Sequence, residues 1–197
     1  MWTDGKLHDL RDGNSYKIVV IGSQTWMAEN LNFEYKVEGT TYGNYCYTDD
    51  CTTYGRYYKW VVAMDSAGLY SSKSKDCGGH KTCSPVYPVR GICPEGWHLP
   101  TSGEWKKLYS AMNSSTYAMQ AKGFEKWPNA KDTYEFSAIP AGEFDGVQAS
   151  FVGTCAIFWS STETYSDEAD HWELCTSDAT IRSSYKFYSY SVRCVKD

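Results

Sequence analysis

The sequence predicts a single α+β domain, residues 1–197, with few helices, short strands, much loop and a disulfide framework. Three observations carry this reading. Short apolar runs of strand type recur between Gly, Pro and Asp. One segment, Thr101 to about Asn113, has strong helical periodicity. The Cys count is even, eight in 197 residues. A chain of this length can bury one ordinary core.

Taken in order, Tyr16–Ile21 reads as a strand, broken at Gly22-Ser23 and followed by Gln24-Thr25-Trp26-Met27. Gly at the first turn position suits a tight hairpin. The Tyr- and Gly-rich stretch from Phe33 to Tyr57 reads as loop with short strands. Tyr58 to Gly68 is expected to be a short helix, because Tyr58, Val61 and Val62 recur at helical spacing and Gly68 would stop it. Thr101-Ser-Gly-Glu104 is a capping box in which the Thr hydroxyl and the Glu carboxylate each take one free amide. Trp105, Leu108, Tyr109 and Met112 then share one apolar face. Beyond Phe124, the segments 151–152, 156–159, 171–174 and 189–195 read as strands.

Composition narrows the function. With 19 Lys+Arg against 24 Asp+Glu the net charge is −5, which argues against nucleic acid as a partner. No run approaches the ~18 apolar residues of a membrane-spanning helix, so membrane insertion is not expected. The first residues, Met1–Lys6, lack a signal peptide's apolar core, so any export signal is expected to have been removed. Eight Cys with 17 Tyr and few Lys favour an exported, disulfide-bonded domain. Cys46 and Cys51, and likewise Cys155 and Cys175, are spaced as local staples. Cys77-Gly-Gly-His80-Lys-Thr-Cys83, with Cys93 further on, offers a Cys₃His zinc set. A Cys77–Cys83 bridge is the favoured alternative, since no second Cys-x-x-Cys accompanies it.

Several motifs together bear a family resemblance. Asp9–Tyr16, Ile21–Leu31, Tyr54-Gly-Arg-Tyr-Tyr-Lys-Trp60 with Ala63-Met64, and Cys93-Pro-Glu-Gly-Trp-His-Leu-Pro-Thr101 with Glu104-Trp105 come first. Ile139-Pro-Ala-Gly142, Phe158-Trp-Ser-Ser-Thr162 and Ser191-Val-Arg-Cys-Val195 complete the set. In this order they resemble the Fibrobacter succinogenes major paralogous domain over nearly the whole chain. The resemblance implies an exported, surface-associated bacterial domain and assigns no chemistry. Cys93 and Cys194 lie in two of its motifs and are therefore expected to pair. The other six then fall into neighbouring couples, Cys46–Cys51, Cys77–Cys83 and Cys155–Cys175.

Leu99-Pro-Thr101 with Glu104-Trp105 is also similar to the helix start of formylglycine-generating-enzyme-like domains. That similarity implies a C-type-lectin-like fold, in which strands near the two chain ends, here 18–21 and 189–195, pair in one sheet. It raises the alternative of a divergent oxidase. Cys155, Cys175 and Cys194 sit in no recognisable copy of its copper motif, and a bridged Cys cannot be a thiolate ligand. A Ser or Cys hydrolase has no nucleophile elbow here, so no catalytic residue is assigned. His98, beside Trp97, reads as a packed or backbone-bonded side chain.

The lectin-like fold raises calcium-dependent sugar binding, with Glu163, Asp167, Glu168, Asp170 and Glu173 as the weak candidates for an ion that wants six to eight oxygens. A solvated acidic loop is the favoured reading, and no cofactor is expected. Trp26, Trp60, Trp97, Trp105 and Trp159 fall in strand or helix patterns and are expected in the core. Trp127, Tyr134, Tyr165, Trp172, Tyr185 and Tyr188 lie in polar, loop-like surroundings. Such rings can stack on a sugar while OH or NH keeps a hydrogen bond. The expectation is a non-catalytic binding or adhesion domain for polysaccharide, plant-wall material being suggested by the family's name-giving organism. A structural or protein–protein interaction module is the alternative.

Overall fold

The computed structural model describes residues 2–3, 5–48 and 51–197. These form a mostly-β fold with three α-helices among the described residues: Trp60–Ala63, Ser102–Ala111 and Thr116–Met119. A six-stranded antiparallel sheet runs in the order Trp2–Thr3, Lys6–His8, Ser15–Ile21, Gln24–Met27, Val195–Lys196, Trp97–His98. The Gly22 turn closes the first hairpin, with φ +61° at Gly22 and Ile21 opposite Gln24. Val195 then pairs with Trp26 on one side and His98 on the other. The expected pairing of 18–21 with 189–195 is thus corrected: the hairpin inserts Gln24–Met27 between them.

The segment 189–195 is not one strand. Ser189–Tyr190 pairs with Tyr58–Lys59 and Phe144, in a different sheet from Val195–Lys196. Nor does 58–68 form the expected helix. Tyr57–Lys59 is a strand, and Trp60–Ala63 makes a single helical turn. Asp65, with φ +54°, stops it, and its carboxylate accepts the amides of Leu69, Tyr70 and Ser71. Phe151, also left-handed at φ +59°, turns where a strand was expected, and the strand is Ala149–Ser150.

The main helix is as expected. Glu104 N–H donates to the Thr101 hydroxyl (3.2 Å), and Thr101 N–H donates to the Glu104 carboxylate (2.8 Å). The helix ends where Asn113 and Ser114 adopt positive φ. It buries Trp105, Leu108 and Met112. The strand Ala156–Glu163 explains how the core is laid out. Ile157 and Trp159 enter one apolar cluster with Tyr58, Trp60 and Trp97, whereas Ala156 and Phe158 enter a second with Trp26, Trp105 and Phe136. Both faces of this strand are buried over residues 156–159, so that stretch is a continuous apolar run rather than an alternating one.

All eight Cys are bonded, as Cys46–Cys51, Cys77–Cys83, Cys93–Cys194 and Cys155–Cys175. The zinc set of Cys77, His80, Cys83 and Cys93 is therefore overturned, because its three sulfurs are spent in disulfides. Cys93–Cys194 closes 101 residues of sequence separation and sits fully buried.

Candidate functional site

Two exposed aromatic residues, Tyr185 and Phe187, share one turn with a third, half-buried ring, Tyr188. The strand Ala179–Tyr185 runs antiparallel to Glu168–Leu174, and Tyr188 N–H donates back to the Tyr185 carbonyl (3.1 Å). Residues alternate across this turn. Tyr185 (46% exposed) and Phe187 (52%) face outward, Tyr188 is half-buried, and Lys186 is buried. The Tyr185 and Phe187 rings are nearly parallel (11°) at 5.4 Å between centroids, and Phe187 and Tyr188 lie at 4.9 Å and 21°. Tyr190 continues the row inward at 6.2 Å and 17°. These separations exceed face-to-face contact, ~3.5–4 Å, so the rings are slipped and part of each face stays uncovered. Tyr165 (65% exposed) lies in the adjoining turn, where its N–H meets the carbonyl of Glu168, the residue opposite Tyr185.

The turn is pinned from inside by Lys186. Its ammonium donates to the carbonyls of Gly78 (3.2 Å), Lys81 (3.4 Å) and Ser166 (2.8 Å) and to the carboxylate of Glu163. It also stands 4.6 Å from the Trp60 ring centroid, a cation–π contact in a desolvated place. Glu163 in turn accepts the Cys83 N–H (2.8 Å). One buried cation thus ties together the aromatic turn, the Cys77–Cys83 loop and the turn bearing Tyr165.

The acidic residues weighed for calcium are held apart in separate partnerships. Glu163 belongs to Lys186. Asp170 accepts from the hydroxyls of Ser102 (2.6 Å) and Thr164 (2.7 Å). Glu168 accepts from Ser183, and Glu173 from Arg182 (2.6 Å). The His171 hydrogen bond, against burial and together with Arg182, holds the Glu173 carboxyl below its ordinary range. Asp167 contributes its backbone carbonyl to the Lys186 N–H (2.9 Å). Among the described residues, no group of three or more His, Cys, Asp or Glu is placed to hold a metal ion.

Two sequence candidates must be corrected. Trp172 is 1% exposed and lies parallel to Trp105 (6°, 6.2 Å) in the second core cluster. It sits mid-strand in the three-stranded sheet, where its ring meets the main helix. Trp127 is 2% exposed and donates its indole N–H to the Thr154 carbonyl (2.8 Å). A local Phe124–Trp127 turn folds it inward, so its polar flanks misled. Tyr134 is half-buried against the same cluster and bonded to Asn113 (3.1 Å). Tyr165, Tyr185 and Tyr188 remain at one end of the three-stranded sheet. Phe187, the most exposed ring of the stack, was missed. The signal was present in Tyr185-Lys-Phe-Tyr188, an aromatic–cation alternation at a turn.

His98 is packed, as expected, and its ring also bridges two carboxylates. Its Nδ1 meets Asp197 (2.6 Å) and its Nε2 meets Glu104 (2.9 Å). Burial alone would lower its pKa, but the two hydrogen bonds and the two charges outweigh that and raise it above 6.5. Arg193 is fully buried, and its hydrogen bonds go to the Asn30 amide oxygen (2.9 Å) and to the carbonyls of Phe136 and Ser137, with no carboxylate among them. Burial, only partly offset by Asp132 and Glu29, lowers its pKa to about 9.

A small mostly-β domain, stapled by four disulfides and presenting a pinned aromatic turn, is the class these features define. The chain belongs to the Fibrobacter succinogenes major domain family, whose pattern it matches over residues 19–196. No curated protein matches it.

Proposed function

We propose that the chain is a non-catalytic, extracellular binding domain of C-type-lectin-like type that holds polysaccharide at a bacterial surface, without calcium. The observation carrying this reading is the slipped stack of Tyr185, Phe187 and Tyr188, half open to solvent and fixed from beneath by Lys186. A sugar ring's apolar face matches an aromatic face, and a rigid platform loses little conformational entropy on binding. The membership of a surface-associated family and the disulfide framework support the location. The return of Val195 to the sheet of the first hairpin supports the lectin-like reading.

The test is co-sedimentation with insoluble cellulose and xylan, with and without calcium, for the parent chain and for Tyr185→Ala and Phe187→Ala. Removing one ring should weaken binding by about 1–3 kcal/mol, the scale of a stacked aromatic contact. Binding to neither polymer, or binding unchanged by both substitutions, rejects the proposal in favour of a protein-interaction module.

A further inference from the structure

The spacing of the aromatic turn limits what it can hold. Two rings side by side in one plane meet edge to edge at a carbon contact of ~3.5–4 Å, which puts their centroids roughly 6 Å or more apart. Tyr185 and Phe187 are parallel to 11° at 5.4 Å, and Phe187 and Tyr188 to 21° at 4.9 Å. Both pairs are too close to be coplanar. The rings therefore climb as a staircase, each on its own level, rather than forming one flat floor.

Such a column has two ends. The inner end is closed, since Tyr190 is 1% exposed, with the Trp159 and His171 rings at 4.2 Å and 4.8 Å between centroids. Phe187 and Tyr188 each have two ring neighbours along the column, so they turn edges and slipped margins to solvent. Tyr185 stands at the outer end and is 46% exposed, with Phe187 as its one aromatic contact among the described residues. A single ring face is thus open, about the width of one pyranose.

A carboxylate stands beside that face. Glu168 is directly opposite Tyr185 across the strand pair, so both side chains rise from the same side of the sheet with Cβ atoms about 4.5–5.5 Å apart. Glu168 is half-buried, and its Oε2 accepts the Ser183 hydroxyl at 3.2 Å. A carboxylate accepts hydroxyl donors and repels anions. Arg182, the cation of this strand, alternates to the other side of the sheet and is held there by Glu173 (2.6 Å).

We propose that the turn takes one neutral sugar ring at a time, the exposed terminal unit of a chain or side branch, stacked on Tyr185 with its hydroxyls on Glu168. This rests on the carbohydrate reading above and specifies it. A crystalline face, or the side of an extended chain, needs several coplanar rings, which the staircase does not offer. Phe187 is a positioning residue that props the Tyr185 ring from behind.

The experiment is an amide chemical-shift titration of the intact chain with methyl xyloside, xylohexaose, methyl glucoside, cellohexaose and methyl glucuronide. In the series that binds, monomer and hexamer should have dissociation constants within about threefold, with shifts at Tyr185 and Glu168. Methyl glucuronide should bind about tenfold more weakly than the neutral glycoside, and Glu168→Gln should narrow that gap. Tyr185→Ala should weaken binding about tenfold or more, Phe187→Ala by less, and Tyr185→Trp should retain it. A side-branched xylohexaose separates the two sources, because branches that serve as ligands add a binding equivalent per chain and branches that do not add none. Affinity rising more than about tenfold from monomer to hexamer, equal loss in Phe187→Ala and Tyr185→Ala, or equal binding of the glucuronide overturns the proposal and leaves carbohydrate binding standing. Absence of shifts with every one of these ligands overturns it too. The carbohydrate reading falls with it only if the chain also fails to sediment with both polymers.

Discussion

Lys186→Met should destabilise the domain by about 3–5 kcal/mol, the cost of removing one member of a buried ion pair. The methionine nearly matches the lysine stem in shape, so the loss isolates the ammonium. Glu163, whose side chain is 13% exposed, would keep the Cys83 amide but lose its cation, and the carbonyls of Gly78, Lys81 and Ser166 would lose their donor. For a domain of this size the melting temperature should fall by roughly 6–20 °C, at about 2–4 °C per kcal/mol. Urea unfolding without reductant measures the free energy, and a double-mutant cycle with Glu163→Gln isolates the pair. Glu163→Gln removes the stranded charge, so the double variant should be more stable than Lys186→Met alone. A loss below about 0.5 kcal/mol, ordinary for a surface substitution, or strict additivity in the cycle, would refute the reasoning.

Trp105→Ala and Trp172→Ala should each cost about 3–5 kcal/mol by urea unfolding, since both rings are core, and neither should alter cellulose or xylan binding in folded protein. Stability should be greatest between about pH 4.5 and 6.5. The raised His98 pKa adds stability that is complete below 6.5 and is lost as pH rises through its folded pKa. The Glu104 pKa, which burial alone would raise, is lowered by His98 and Thr101, and adds stability that is lost as pH falls through its folded pKa. Melting temperatures across pH should show both limbs, and His98→Gln should flatten the alkaline one. Cys93→Ser with Cys194→Ser should cost about 4–5 kcal/mol on the chain-entropy account of a loop near 100 residues, read by urea unfolding with the other bridges intact.

Local chemistry was legible where a few neighbouring residues decide the outcome. Thr101 and Glu104 determine their own capping box, and Gly22 its own turn. The Cys pairs are either close in sequence or, for Cys93 and Cys194, carried by the family resemblance. Illegible features depend on distant partners. Nothing near Asp65 announces that its carboxylate will cap three amides and end a helix after one turn. The strand 179–185, at the edge of its sheet, turns only Ala179 and Ile181 to the core, too few apolar positions to betray it. Trp127 and Trp172 have polar neighbours in sequence but aromatic and aliphatic ones in space.

The Cys93–Cys194 bond also dictates how the domain would carry mechanical load. Tension entering at residue 197 reaches Cys194 within three residues and crosses the covalent bridge to Cys93. The hundred residues between them, including the main helix, the aromatic turn and the whole three-stranded sheet, are by-passed. Pulled between residues 5 and 197, the oxidised chain could pay out only roughly 300 Å of contour rather than roughly 650 Å, at ~3.5 Å per residue. A ligand held at Tyr185–Tyr188 would therefore sit on a part of the molecule that carries no tension while the bond holds. Reduction of one bond would put that grip in line with the force.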